Sequence, residues 1–446
     1  VLLAGLARDG GLYVPESWPR LPEPQALAGL RQQGYAEVAA AVMAPFVSGD
    51  IDDETFTRIC REAYAEFRHP AVVPLVQIDS TQWVQELFHG PTLAFKDVAL
   101  QLVGRLFDHV LGKRNEHVTI VGATSGDTGP AAIDGVKGCE HVDIVILYPA
   151  GRTSEVQRRQ MTTVQAPNVH AIAVDGTFDD CQDLVKAMFN DVAFRERMNL
   201  SAINSINWAR VMAQVVYYVT ASHALSGPVA FSVPTGNFGN VLAGWIAQRM
   251  GAPISRFMVA SNTNDILTRF ITAGDMSARD VVATISPSMD IQVSSNFERL
   301  LFEMNDRDGA VTAEQLQRFR TTGSLRVEPD QRSQWIEGNF SAFASDDTAT
   351  LAEIARVYRE TSMLLDPHTA IGTAAARLIT TGEQVVTLGT AHPAKFPDAV
   401  ERATGVRPAL PVHLADLMSR PERLRSVPCD LVAVQRLVSE VARIGS

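Results

Sequence analysis

Residues 89 to 97, HGPTLAFKD, place one lysine, Lys96, behind the uncharged run Thr92-Leu93-Ala94-Phe95. Val98, Leu102, Leu106 and Val110 then recur at helical spacing, with Ala99, Val103 and Phe107 beside them. The lysine therefore stands where a loop turns into a helix. Desolvation and the positive end of a helix dipole both disfavour its charged form, and a neutral amine is a nucleophile. The competing reading is a lysine whose stem lies on apolar neighbours while its head pairs with Asp97 or Glu86.

Three further stretches follow apolar runs and end in unusual turns. In VTIVGATSGDTGPAAIDGV, the run stops at Thr124. Ser125-Gly126-Asp127-Thr128-Gly129 then turns, and Pro130 suits a first helical position. Glycines let the backbone close round a ligand, and free N–H groups at a helix start suit an anion. An ordinary capped strand-to-helix connection has the same residues. In VAFSVPTGNFGNVLAGWIAQRM the turn is Thr235-Gly236-Asn237-Phe238-Gly239-Asn240. It has no lysine, so it is not a Walker loop, and GxGxxG is absent, which weakens a dinucleotide reading. A cup of N–H groups there suits one phosphate; a tight turn with asparagine at positive φ competes with it. In QVVTLGTAHPAKFPDAV, Thr390 ends the run ahead of His392. Its hydroxyl can bond a ring nitrogen without carrying charge. A fourth segment, PAGRTSEVQRRQM, combines a capping box, Ser154 with Gln157, with Arg152, Arg158 and Arg159. Arginines at a helix N-terminus oppose the dipole, and an anion among them would remove the conflict. A solvated face is the alternative.

These turns need a scaffold. The runs at 118–124, 142–149, 169–174, 229–234, 256–261 and 384–390 are nearly continuous in apolar and β-branched residues. Strands covered on both faces read this way. Helical patterns lie between most of them, for instance at 153–165 and 179–198, so the expected class is α/β with mainly parallel sheets. Chemistry in such sheets gathers at the carboxyl ends of the strands. Two helical stretches are expected at 26–43 and 52–67. A polar segment near 296–350 reads as a helical insertion ending in a loop and a following helix.

With 446 residues, 46% of them hydrophobic, the chain can hold two or three domains. A net charge of −11 argues against a general nucleic-acid binder. Between Arg210 and Arg249 there is no charged residue, yet prolines and glycines interrupt the run, so no membrane span is expected. Cys60, Cys139, Cys181 and Cys429 are scattered, with no zinc or disulfide pattern, so no metal and a cytoplasmic setting are expected. The chain opens VLLAGLARDGG without a methionine, and residues before Val1 are expected to be missing from it.

An activated lysine, two anion cups and a neutral hydroxyl form a set that matches pyridoxal phosphate held by a lysine, with a second cup for an amino-acid carboxylate. The motifs HGPTLAFKD, GATSGDTG, YPAGRTSEVQRRQM, NSINWAR (204–210), PTGNFGN, DPHTAIG (366–372) and TAHPAKFPDAV, with the opening GLARDGGLYVPE, resemble those of the threonine synthases. They run to about residue 400 in the family's order.

The resemblance implies a fold-type II pyridoxal phosphate enzyme, similar to the tryptophan synthase β subunit. It implies a carbon–oxygen lyase that turns O-phospho-L-homoserine and water into L-threonine and phosphate, as a monomer or homodimer. Lys96 matches the Schiff-base lysine. Gly236, Asn237, Phe238, Gly239 and Asn240 match the loop for the cofactor phosphate, and Thr390 the residue at the pyridine nitrogen. Thr124, Ser125, Gly126, Asp127 and Thr128 match the loop for the substrate carboxylate, with Asp127 near the cofactor's ring hydroxyl. Ser154, Arg159, Asn207 and Arg210 fall in motifs that receive the substrate phosphate. Two departures stand out. In the family a Ser-Thr-Arg-Gly segment precedes the point where this chain begins, and it is absent from the sequence here; and Asn240 stands where an acidic residue is common in the family.

The expected division is a mostly helical region at 1–88, a smaller α/β domain at 89–215 with Lys96 at its edge, and a large cofactor-binding domain at 216–446. Two alternatives remain: a dehydratase or cysteine synthase of the same fold, or a non-catalytic homologue that only binds the cofactor.

Overall fold

The computed structural model describes residues 1–7 and 9–443; Arg8, inside the opening motif, and residues 444–446 lie outside them. Thirteen strands form among the described residues. β1 (Leu75–Gln77) and β2 (Gln82–Glu86) come first, followed by β3 (Val118–Ala123), β4 (Val142–Pro149), β5 (Val169–Asp175) and β6 (Leu200–Ser201). β7 (Val229–Pro234) and β8 (Ile254–Ser261) precede a short pair, β9 (Asp275–Ser277) and β10 (Ser324–Arg326). β11 (Phe340–Ala344), β12 (Gln384–Gly389) and β13 (Arg425–Pro428) complete the set.

Six strands make the larger sheet, ordered β1-β2-β12-β7-β8-β11, with only β1 antiparallel. Five make the smaller sheet, β13-β5-β4-β3-β6, all parallel. β9 and β10 pair antiparallel with each other. The six apolar runs are β3, β4, β5, β7, β8 and β12. Every residue of β4 and β7 is buried, as strands covered on both faces require.

The sheets do not follow the expected limits at 88 and 215. β1 and β2 come from the region expected to be helical and join the larger sheet beside β12. β13 returns from the end of the chain to the edge of the smaller sheet. The helix Leu431–Val441 follows it, and its Val434 and Val438 pack with Val121, Val145 and Ile172. The expected insertion near 296–350 ends in an edge strand rather than a loop. β11 pairs with β8 at the sheet edge, and only its Phe340 is buried. Two expected helices are each broken in two. Gly34, at φ 133°, separates Pro24–Gln33 from Tyr35–Val47. Asp191 separates Phe178–Asn190 from Val192–Arg197 and caps the second through the Phe194 N–H.

The helix Lys96–Arg114 is the element that places the lysine. Residues 96–104 are all buried, on every face, because the helices Asp53–Tyr64, Thr128–Val136 and Trp208–Ser222 pack around it. Contact with Thr128–Val136, which starts at the SGDTG turn, is backbone to backbone. A Cβ at Gly104 would stand 1.9 Å from Gly135 O, and one at Gly135 would stand 2.4 Å from Leu100 O. These two glycines therefore set the distance between the lysine's helix and the SGDTG turn. Gly104→Ala is expected to lower stability by about 1–3 kcal/mol through overpacking. A fall in the urea midpoint at unchanged m-value checks this.

Candidate active site

The turn that carries Lys96 is sewn to the end of β12. Phe95 N–H donates to Thr390 O at 2.9 Å, His392 N–H donates to Leu93 O at 3.0 Å, and Ala94 pairs with Ala391 across an antiparallel bridge. Leu93 is buried at φ 65°, a left-handed conformation that costs a leucine energy and persists only where the surroundings fix it. Thr92 donates from its N–H and its hydroxyl to the Asp97 carboxylate, at 2.8 and 2.6 Å. Lys96 is 9% exposed, and its Nζ lies 4.9 Å from the centre of the Phe95 ring.

Asp127 faces this lysine. Its Oδ2 is 3.6 Å from Lys96 Nζ, while Oδ1 receives Lys395 Nζ at 2.7 Å and Gln157 Nε2 at 2.9 Å. Lys395, only 1% exposed, also donates to Thr92 O at 2.8 Å, as does Gln160 Nε2 at 3.0 Å. Burial pushes the Asp127 pKa up, but the two ammonium groups outweigh it and hold the carboxyl far below its usual range. Burial pulls the Lys96 amine below its usual value; Asp127 opposes this, and the Lys395 and Arg210 charges add to it.

Both turns present unpaired N–H groups. Thr124 Oγ1 closes the first by accepting from Gly126 N–H and Gly129 N–H at 3.2 and 3.0 Å. The N–H groups of Ser125, Asp127 and Thr128 then find no acceptor among the described residues. In the second turn the carbonyls are drawn back. Ser294 Oγ donates to Gly236 O at 2.9 Å and Asn296 N–H donates to Asn237 O at 3.1 Å. The N–H groups of residues 236 through 241 have no acceptor among the described residues. Successive N–H groups of this kind form an anion cup. Phe238 reaches the cup at φ 60°, the second bulky side chain in a left-handed conformation at the site. A Cβ at Gly236 would lie 2.7 Å from Ser288 O, so only glycine fits. Asn240 accepts from the Tyr217 and Tyr218 hydroxyls and leaves its Nδ2 buried without a partner. Thr390 is placed through the DPHTAIG motif: Asp366 accepts from the Thr369 hydroxyl, which in turn accepts from Thr390 N–H at 3.1 Å.

The residues expected around a substrate phosphate divide. Arg210 is 3% exposed, and its Nε and Nη1 are buried without a partner. Burial alone draws its pKa down to about 10, so it stays charged at neutral pH. Arg159 is engaged with Glu155, with Glu422 at 3.4 Å and with the Leu417 and Arg420 carbonyls. Arg158 also pairs with Glu422. The anion that this cluster calls for is thus a carboxylate of the same chain. Ser154 caps its helix through Gln157 N–H, and Asn207 caps the helix Trp208–Ser222 through Ala209 N–H while donating to Leu2 O at 2.8 Å.

Comparison with known proteins decides what the constellation belongs to. A model for pyridoxal-phosphate dependent enzymes matches residues 67–325, and models for the threonine synthase N terminus and C-terminal region match 1–64 and 369–438. A threonine synthase of Pseudomonas aeruginosa is 56% identical, over 100% of this chain and 96% of its own length. The chain belongs to the threonine synthase family. A pyridoxal phosphate-bound threonine synthase from Brucella melitensis superposes with a TM-score of 0.96 at 52% identity, covering 99% of this chain and 96% of its own. The yeast threonine synthase gives 0.93 at 39%, covering 98% and 94%. The architecture is fold type II and the cofactor of this family member is pyridoxal phosphate. The residues present fit it: a buried amine, a cup that only glycine allows, the unpartnered Asn240 Nδ2 and a neutral hydroxyl at Thr390.

Sequence reasoning missed Lys395, Gln160 and the burial of Asp97. One signal pointed to Lys395. The chain has only five lysines, at 96, 113, 137, 186 and 395, and otherwise uses arginine for positive charge. Lys113, Lys137 and Lys186 are exposed; Lys96 and Lys395 are the buried two.

Burial raises the Asp97 pKa from 3.8 to about 7, against the two Thr92 hydrogen bonds. The folded chain therefore holds a proton there that the unfolded chain releases. The associated stability is full below pH 3.8 and is lost as pH rises to about 7. Asp97→Asn should flatten the slope in that window, as read from denaturant midpoints at several pH values for both proteins.

Proposed function

We infer that this chain converts O-phospho-L-homoserine and water to L-threonine and phosphate. The carrying observation is the buried Lys96 amine, held 3.6 Å from Asp127 in a turn joined to Thr390. One N–H cup lies beside it and another ends the neighbouring strand of the Thr390 sheet.

Lys96 would hold the cofactor, the 236–241 cup its phosphate, and Thr390 its ring nitrogen. Held there, pyridoxal phosphate supplies the electron sink that makes protons on an amino acid's α and β carbons removable. Ser125, Asp127 and Thr128 offer N–H groups to the substrate carboxylate and so fix which C–H bond faces the amine. Lys96 Nζ takes the α proton and returns one later, which requires an amine that loses its proton near neutral pH. Phosphate leaves the γ carbon and water adds at the β carbon: one carbon–oxygen bond breaks and one forms. Arg210 is the cation for the departing phosphate, because its guanidinium has N–H groups to give and Arg159 is already paired. Ser154 and Asn207 serve by holding the helix starts that frame this region.

The test is release of phosphate and threonine from O-phospho-L-homoserine in equal amounts, with no product from Lys96→Ala. Faster deamination of serine or threonine would assign the chain to the dehydratase chemistry instead. Arg210→Met is expected to raise KM about 10–100-fold, the loss of a charged hydrogen bond worth about 1.5–3 kcal/mol. Arg159→Met should lower the melting temperature and change KM less.

A further inference from the structure

Asp127 poses a problem for the reading above. It is a carboxylate in a loop whose N–H groups are offered to another carboxylate, and it faces an amine that has to lose its proton. A buried aspartate and a buried lysine left alone would close into a tight ion pair and keep that lysine charged. The structure shows a looser contact. Asp127 Oδ2 stays 3.6 Å from Lys96, while Oδ1 takes Lys395 at 2.7 Å and Gln157 at 2.9 Å. Lys395 cannot swing away, because it lies 1% exposed with its ammonium also on Thr92 O at 2.8 Å. Thr92 in turn holds Asp97, the residue after Lys96, from both its N–H and its hydroxyl.

We propose that Lys395 is a positioning residue for Lys96: it occupies the close contact to Asp127, so that the carboxylate neither captures the Lys96 amine nor repels the substrate. This rests on Lys96 being the working amine. The other groups around Lys96 act in the same direction or not at all. Arg210, on the helix Trp208–Ser222, adds a second positive charge. Asp97 keeps its proton up to about pH 7. His392, on the segment that carries Lys395, is held down to about 4 by burial and is neutral. Asp134, on the helix Thr128–Val136, is turned to Gln101 and Lys137.

Without Lys395, Asp127 is free to pair with Lys96, and a nearby cation is gone. Both changes favour the charged amine, so Lys96 should need a higher pH to react. The readout is amine labelling of the whole chain after cofactor removal, by reductive methylation with formaldehyde and cyanoborohydride, followed lysine by lysine by mass spectrometry across pH. In Lys395→Met the labelling midpoint of Lys96 is expected to rise by about one pH unit; in Asp127→Asn it should fall. In the unaltered chain Lys395 should stay unlabelled at pH values where Lys96 reacts. This last measurement needs no variant and decides the matter if Lys395→Met does not fold. A folded Lys395→Met whose Lys96 profile lies on that of the unaltered chain would overturn the proposal. So would an unaltered chain in which Lys395 labels as readily as Lys96. No cofactor or substrate enters the assay, so a chain that makes no threonine would count against the proposed function and leave the labelling result to stand by itself.

Discussion

One buried carboxylate shared by two buried ammonium groups ties the site together. In an apolar setting a lone carboxylate takes up a proton and a lone lysine gives one away. Asp127 avoids the first outcome because Lys395 lies 2.7 Å from it and Lys96 lies 3.6 Å from it. Loss of Asp127 would leave both buried ammonium groups uncompensated, which is far costlier than loss of a surface ion pair. Lys395 comes from a chain segment hundreds of positions beyond the other two. The interaction can form only when the 89–97 turn, the 124–129 turn and the 390–396 segment arrive together. It therefore reports on the whole fold and not on one loop.

The two sheets deliver those segments by simple means. β12 and β2 are parallel neighbours, so both strands end at the same edge of the larger sheet. The chain leaves β2 there, makes the strained Leu93 turn against Thr390, and starts the Lys96 helix. That helix then runs against the helix that begins at the SGDTG turn of the smaller sheet. The glycine pair at 104 and 135 lets the two backbones touch. Lys96 is thus at the seam of the sheets, fixed to one by backbone hydrogen bonds and to the other by close helix packing. The lowered stability of left-handed Leu93 and Phe238 is offset by the burial of both side chains.

What could be read from the sequence follows from how local each signal is. β3, β4, β5, β7, β8 and β12 were legible because strands covered on both faces carry long apolar runs. β1, β6, β9 and β10 were not, being only two or three residues long. β11 and β13 lie at sheet edges with exposed residues and lack the long apolar runs of the strands covered on both faces. Lys96 and the two cups were legible because glycines and helix starts sit within a few residues of each other. Lys395 was hidden because its partners, Asp127 and Thr92, are about 270 and 300 positions away. The Arg158–Arg159 cluster was legible as a demand for an anion, but its source, Glu422, lies about 260 positions on. Short-range pattern identifies the need for a partner and cannot name it.

The choice of cation at each position has a physical reason. An arginine at 96 could not give up its proton, whereas a buried lysine can. At 395 a compact ammonium reaches both Asp127 Oδ1 and Thr92 O in a space closed to solvent. At 210 a guanidinium keeps its charge despite burial and still has two nitrogens without partners. Lys395, Arg210 and Lys96 thus gather at the site, and below about pH 7 Asp127 is the carboxylate that opposes them. Two groups of unpaired N–H donors add to that excess. Such an arrangement is costly by itself and becomes favourable when an anion enters, so the charges that weaken the bare site are those that select a phosphate and a carboxylate.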